Sequence, residues 1–459
     1  MRPRTALRAT PLALCLLLAV TTAAFAHTAL RSSSPEKDER LTVAPTEIRL
    51  RFTSAVDARL ARVALTSADS SPVRLDSLRS GDAADEIVAP ILDPLTSGEF
   101  TVSWQVIGTD GHPVRGTFAF VVDLPVDTTT VAPATDPEFG PPDPETQPHE
   151  AEAEPESAVQ SPGNVAVRWL TFATILAIVG AGVFRTFVLE SMRSSSTVPT
   201  GSAADDAATR AARLGRGAAI FLLLAAGARY FLQARAVEAD GLAGDIMGVM
   251  LFDTPWGWGW FLQVGAAALA LFAFHRAVGD PRRGWGAALL AGLALAFTPA
   301  LSGHAVGSET APALAVAVDG VHVFAASAWI GTLLALAAAG VPAAVRSGGG
   351  TSMVADLVSR FSPLALTFAA IVVGTGTISA ILHLAAVNQL WTTTYGRTLL
   401  LKLGAVVLVV AVGAWNWRSV RPRLAISGPA PLRRTAPLEL LAAAIVLVLT
   451  AVLVATPTP

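Results

Sequence analysis

A single cysteine, Cys15, is all the thiol this 459-residue chain contains. It lies within the first 26 residues, which read as an export leader: Arg2, Arg4 and Arg8, an apolar run, then Ala24-Phe25-Ala26 as an A-x-A cleavage site. The remainder has no disulfide to stabilise it and no thiolate to offer copper(I) or zinc. Methionine is nearly as scarce, five in all with none between His27 and Asp123. No G-x-x-x-x-G-K-[ST] loop occurs, which removes ATP hydrolysis, and nothing points to a nucleic-acid partner. Charge is sparse too: 15% charged against 52% hydrophobic residues, with a net charge of −2, is far from the balance of a soluble enzyme.

Three regions follow the leader. Residues 27–123 predict an all-β domain, a small Greek-key sandwich of the immunoglobulin-like kind. In EIRLRF (47–52) Ile48, Leu50 and Phe52 alternate with Glu47, Arg49 and Arg51; FTVSWQVI (100–107) and TFAFVV (117–122) repeat the two-residue period. Residues 124–162 are rich in proline and acid, have no Lys or Arg, and predict a disordered, semi-extended linker. His149, set among its carboxylates, reads as a solvated linker residue.

Residues 163–459 predict an all-α, polytopic membrane domain. Eight apolar spans fall near 164–189, 214–236, 256–275, 285–302, 312–341, 361–383, 398–417 and 437–455. With the β domain outside, the inner loops hold Arg193, Arg210, Arg213 and Arg216, then Arg276, Arg282 and Arg283. Arg346 and Arg360 follow, and finally Arg418, Arg421, Arg423, Arg433 and Arg434. The opposite loops carry Glu238, Asp240, Asp245, Asp253 and Glu309. The positive-inside rule is met along the whole domain and predicts a multi-pass protein of the plasma (inner) membrane, its β domain extracytoplasmic.

Cleavage after Ala26 would make His27 the first residue, its α-amine beside its own imidazole. With Asp110 and His112 of the D-G-H-P segment it would complete a square of N and O donors, the geometry Cu(II) prefers. Taken singly, a terminal histidine is arbitrary and Asp110-Gly111-His112-Pro113 is ordinary turn chemistry. Both features in one small β-rich domain favour a metal site.

The membrane histidines gather on the same outer side. His304 ends span four; Asp319 and His322 lie one turn apart on one face of span five; His383 ends span six. Thr375, Ser379 and His383 follow a four-residue stripe, and Met247 and Met250 lie in the outer loop after span two. Ionisable residues inside a bilayer are costly and are functional candidates by default. Their ordinary readings stand beside this: Asp319 paired with Arg229, the methionines as packing, His275 as interfacial, and Trp256, Trp258, Trp260, Trp391, Trp415 and Trp417 as an aromatic belt.

HTALRSSSP (27–35) with TVSWQVIGTDGHPVRGTFAFVV (101–122) resembles the CopC family of periplasmic copper-binding proteins. The resemblance implies Cu(II) held by His27, Asp110 and His112, and the absence of methionine implies no second, Cu(I) site. The stretches SGHAVG (302–307), VDGVHVFAASAWIGTLLAL (318–336), RFSPLALTF (360–368), TTYGRTLLLKLGAVVLVVAVGAWN (393–416) and LRRTAPLELLAAAIVL (432–447) resemble the CopD family. Fusion of the two resembles copper-transport proteins in which both modules are joined.

The reading that follows is a non-enzyme: copper is captured outside and passed across the bilayer through His304, His322 and His383, with Asp319 as charge partner. Import is favoured because the chelator faces outward and no ATPase or inner thiolate site exists to drive export. Copper resistance by sequestration or efflux is the alternative. An extracytoplasmic reductase or copper chaperone would be a partner. A second alternative makes the histidines axial ligands of a haem that reduces copper. A third, a copper monooxygenase, is disfavoured by Asp110 in the space oxygen needs and by eight spans that leave no path for a polymer.

Overall fold

The computed structural model describes residues 28–108, 113–125, 161–195, 201–239, 245–302, 312–347, 350–384, 386–424 and 430–456. The leader, most of the linker, and His27, Asp110, His112, His149 and His304 lie outside the described residues. The chain divides into a β unit and a helical unit, each with its own core.

The β unit comprises β1 (Leu30–Ser34), β2 (Arg40–Leu41), β3 (Glu47–Phe52), β4 (Val56–Ser67), β5 (Pro72–Val73), β6 (Arg79–Ser80), β7 (Glu86–Pro90), β8 (Gly98–Gly108) and β9 (Pro113–Val122). They form two sheets, in the orders β1-β3-β7-β6 and β2-β9-β8-β4-β5. The alternation read in the sequence is the burial pattern: Ile48, Leu50 and Phe52 are fully buried, as are Val102, Val106 and Phe120, while the charged partners face water. Phe52 meets Trp104 edge-on at 5.3 Å, tying the two sheets face to face, and within one sheet Phe100 stacks on its cross-strand partner Phe120 at 5.7 Å.

β8 and β9 form the longest hairpin, paired from Gly98–Val122 to Ile107–Pro113 without a slip. Trp104 lies opposite Gly116, and a Cβ at Gly116 would come within 2.6 Å of the indole. Only glycine lets the ring lie flat across the partner strand. The start of β1 is held by reciprocal bonds, Ala29 N–H to Thr53 Oγ1 and Thr53 N–H to Ala29 O, each 2.8 Å.

The helical unit contains α1 (Pro162–Val183), α2 (Gly201–Ala239), α3 (Asp245–Asp253), α4 (Pro255–Gly279), α5 (Trp285–Leu301), α6 (Pro312–Ala326), α7 (Gly350–His383), α8 (Thr394–Trp415) and α9 (Ala430–Leu453). α1 runs on through a π segment, Phe184–Leu189, and α6 continues through two, Ser327–Gly331 and Leu336–Gly340. Among the described residues, seven helical stretches are long and apolar enough to cross a membrane. All eight expected spans are helical, but α5 has only 17 residues, roughly 26 Å against a hydrocarbon core of about 30 Å.

α1 is the central post. It contacts α2, α5, α9 and the continuation of α6, and most of its apolar length is buried. At its crossing with the α6 continuation, a Cβ on Gly180 would collide with the backbone of Gly331, so the two backbones touch. α7, by contrast, buries almost none of its apolar stretch and presents Leu366, Val373 and Ile378 to the outside. That is the surface expected where lipid replaces water.

Candidate metal sites

One group of polar residues of the membrane unit lies between α6 and α7, beside Tyr395 of α8. α6 and α7 run antiparallel, so residues ascending one helix face residues descending the other. Asp319 Oδ1 accepts a 3.2 Å bond from Ser379 Oγ, and three residues on, His322 Nδ1 lies 3.0 Å from Thr375 Oγ1. The ring of His322 fits because Gly376 faces it; a Cβ there would be 3.3 Å from Cε1. Thr375 donates its hydroxyl hydrogen to Ile371 O at 2.7 Å, so toward the imidazole it can only accept. His322 is therefore protonated at Nδ1, and Nε2 keeps its lone pair, the state in which imidazole ligates a metal.

His383 repeats the arrangement. Its Nδ1 donates to Ser379 O at 2.7 Å, which leaves Nε2 as the acceptor nitrogen, and its ring stacks on Tyr395 at 6.4 Å between centroids. The stripe Thr375, Ser379, His383 thus works as a scaffold: two of its oxygens fix the rings and one bonds the carboxylate.

The sequence reading missed the cation of this cluster. Lys402, one of only two lysines in the chain, stands on α8 about 12 Å from its N-terminal end, and its charge acts on both Asp319 and His322. A lysine inside TLLLKLGAVV was the available signal, since such a residue in a span calls for a partner. The expected partner of Asp319, Arg229, is engaged elsewhere: it donates to Ser302 O at 3.3 Å and its guanidinium lies 5.3 Å over Trp256. Arg229 faces α4 and α5, whereas Asp319 faces α7, which is why the pairing does not form.

The methionines are placed apart. Met250 is fully buried in α3 with its sulfur 3.9 Å from Gln233 Nε2, and Met247 is half-buried. Among the described residues no three His, Cys, Asp or Glu side chains come together as a metal cage. Asp319, His322 and His383 are held instead by hydroxyls and a carbonyl of one stripe of α7, a polar row running toward its C-terminal end. A second polar pair was also missed: Glu439, buried in α9, accepts from Asn416 Nδ2 at 2.9 Å.

In the β unit, the described flanks of the sequence-predicted site are fixed. Ala29 and Leu30 are held against Thr53 and Phe52, and Ile107 and Pro113 close the β8–β9 ladder. Phe52, opposite Leu30, is the residue whose ring meets Trp104. One aromatic contact therefore joins the start of β1 to the half of the hairpin that leads to the Asp110–His112 segment.

Residues 30–123 match the CopC domain, residues 159–314 the copper resistance protein D-like N-terminal domain, and residues 355–453 copper resistance protein D. The copper transport protein CutJ of Bacillus subtilis is 23% identical over 406 residues, covering 86% of this chain and 69% of that protein. Copper resistance protein C of Pseudomonas syringae pv. tomato is 32% identical over 110 residues, 22% of this chain and 86% of its own length. Among solved structures, the methionine-rich copper resistance protein PcoC of Escherichia coli aligns at 28% identity over 21% of this chain and 99% of that one, with a TM-score of 0.20. None of the three matching families is an enzyme or haem-protein family. With a CopC domain at the front and both copper resistance protein D modules in its helices, the chain belongs to the CopC–CopD fusion family.

Proposed function

We propose that this protein takes copper from outside the plasma membrane and passes it inward, the β unit capturing Cu(II) and the α6–α7–α8 cluster carrying the ion into the bilayer. The capturing ligands are the amine and imidazole of His27 with Asp110 and His112, once the leader is removed after Ala26. The linker keeps the loaded domain near the membrane and raises the local copper concentration there. The receiving groups are His322 and His383, with His304 as a third candidate; Asp319 and Lys402 balance one another's charge beside them.

The observation that carries the reading is the fixed tautomer of both described histidines. Each holds its Nδ1–H on an oxygen of the scaffold and keeps Nε2 free for a cation. Two imidazoles without thiolates suit copper, and no donor on the outer side would hold it irreversibly. The lack of methionine in residues 27–123 supports Cu(II), not Cu(I), as the captured species. Import is favoured over efflux because every ligand named lies on the outer side and none on the inner.

The test is cellular copper at limiting external copper, in cells with the intact protein, with His322→Ala, or with neither. Higher copper with the intact protein, lost in His322→Ala, is the expected result. Lower copper with the intact protein would reverse the direction and make this a tolerance device. In the separate 27–123 domain, His27→Ala or one extra residue before His27 is expected to abolish tight Cu(II) binding. Unchanged affinity would remove the amino-terminal chelate.

A further inference from the structure

A second polar site lies in the helical unit, apart from His322 and His383. Between α1, α2, α4 and α5 is a cavity of about 70 Å³, where a single water needs about 10–15 Å³. It has room for several waters or one phosphate-sized group. Its polar lining includes Arg168, Arg229, Gln233, Gln263 and Ser302, and no Asp or Glu is among its described lining residues.

Two features show that the cavity is built for something it binds. The first is Gln263, only 1% exposed, whose Oε1 and Nε2 both lack a hydrogen-bond partner. Gln263 lines the cavity, and an amide with both ends unused takes its donor and its acceptor from whatever fills that space. The second is charge. Arg168 and Arg229 are close enough to repel one another, and Arg229 is met by a carbonyl and an indole face, neither of which carries a negative charge. A guanidinium held beside another one, with only uncharged groups against it, is unfavourable in a low-dielectric place unless an anion joins it, and Arg229 is in that position.

The two features define the ligand. Arg229 asks for oxygen acceptors in a planar or tetrahedral anion; Gln263 Nε2 asks for an acceptor and Oε1 for a donor. A metal cation fails on charge and a halide has no donor. We propose that this cavity binds a phosphate group, with P–O oxygens on Arg229 and Gln263 Nε2, and a hydroxyl donating to Gln263 Oε1. Hydrogen phosphate carries both functions, and so does a phosphatidylglycerol headgroup, whose glycerol hydroxyls replace the P–OH. Arg168 is six residues and Gln263 eight residues into their helices, about 9 and 12 Å from the helix starts.

The experiment uses the full-length, copper-free protein, delipidated in maltoside detergent, with thermal unfolding as readout. Sodium phosphate is titrated against sodium chloride of equal ionic strength, and phosphatidylglycerol against phosphatidylcholine. A saturable rise in the midpoint with phosphate or with phosphatidylglycerol is expected, weakened about tenfold or more in apparent affinity by Arg229→Gln and by Gln263→Leu. Response to free phosphate identifies a solute site; response to phosphatidylglycerol alone identifies a lipid headgroup site. If Arg229→Gln does not fold, Gln263→Glu, which keeps the size and adds a negative charge, is expected to remove the response. No saturable response in the intact protein, or equal responses in the variants, would overturn the proposal.

Discussion

The two cores of this chain are built from opposite materials. Of the 51 buried residues in the main membrane cluster, 24 are alanine; of the 14 in the β cluster, one is, Ala89. The β unit closes around Phe52, Phe100, Phe118, Phe120 and Trp104, because in water each large apolar side chain removed from solvent contributes about 1.5–3 kcal/mol. Inside a bilayer that term vanishes, since a lipid tail is as apolar as a leucine. The helices gain instead by close approach, so Ala207, Ala211, Ala270 and Ala291 line the contacts and the large residues turn outward. Hydrophobicity alone therefore says little about which residues hold each half together.

The largest expected break in this pattern is Gly180→Val. Its side chain would occupy the backbone of Gly331, and a loss on the order of 4 kcal/mol or outright failure to fold is expected, read as the yield of monodisperse full-length protein. Next comes a reciprocal pair. Phe120→Ala is expected to cost the β unit about 3–5 kcal/mol in chemical unfolding of the 27–123 domain. Ala270→Leu, a change toward greater hydrophobicity, is expected to cost the membrane unit about 1–3 kcal/mol by overpacking. Should Ala270→Leu prove stabilising, the membrane core is looser than alanine contacts imply. Gly116→Ala falls in the same lower range, about 1–3 kcal/mol, because Trp104 must move to admit a Cβ.

The smallest effect is electrostatic and confined to the β unit. Bonds from Arg59 to Asp57, from Ser67 to Asp69 and from Arg74 to Asp93 hold these carboxyls below the ordinary aspartate value of 3.8. Depressed carboxyls contribute stability that is complete above 3.8 and lost as pH falls through their folded values. The thermal midpoint of the 27–123 domain should thus hold down to about pH 4 and drop below it, and added salt should shrink the part of the drop due to the two exposed ion pairs, Arg59–Asp57 and Arg74–Asp93. A midpoint that already falls between pH 7 and 5 would mean that other groups, such as histidines, control its stability.

Much of this was legible beforehand, for reasons that differ by region. Strand alternation at Ile48, Leu50 and Phe52 is a local, two-residue signal and maps directly onto burial. The spans are equally local, because length and apolarity define them; α5 came out short since hydropathy does not mark where the described helix ends at Leu301. The stripe Thr375, Ser379, His383 could be read from its spacing, but its partner on α6 depends on antiparallel register, which no single helix contains. For the same reason Lys402 was overlooked and Arg229 was matched by depth to the wrong carboxylate. Gly180 and Gly331 gave no warning either: 151 positions apart, they matter only as a touching pair.

On the proposed route, the charge of Lys402 acting on Asp319 sets the terms on which an ion would pass His322. A carboxylate and an ammonium that act on one another sum to zero, so they neither fill a well nor raise a wall along that route. A passing cation then gains only what imidazole nitrogen offers, enough to shed part of its hydration and too little to halt. Such a place has a short dwell time, which distinguishes a stepping stone from a store.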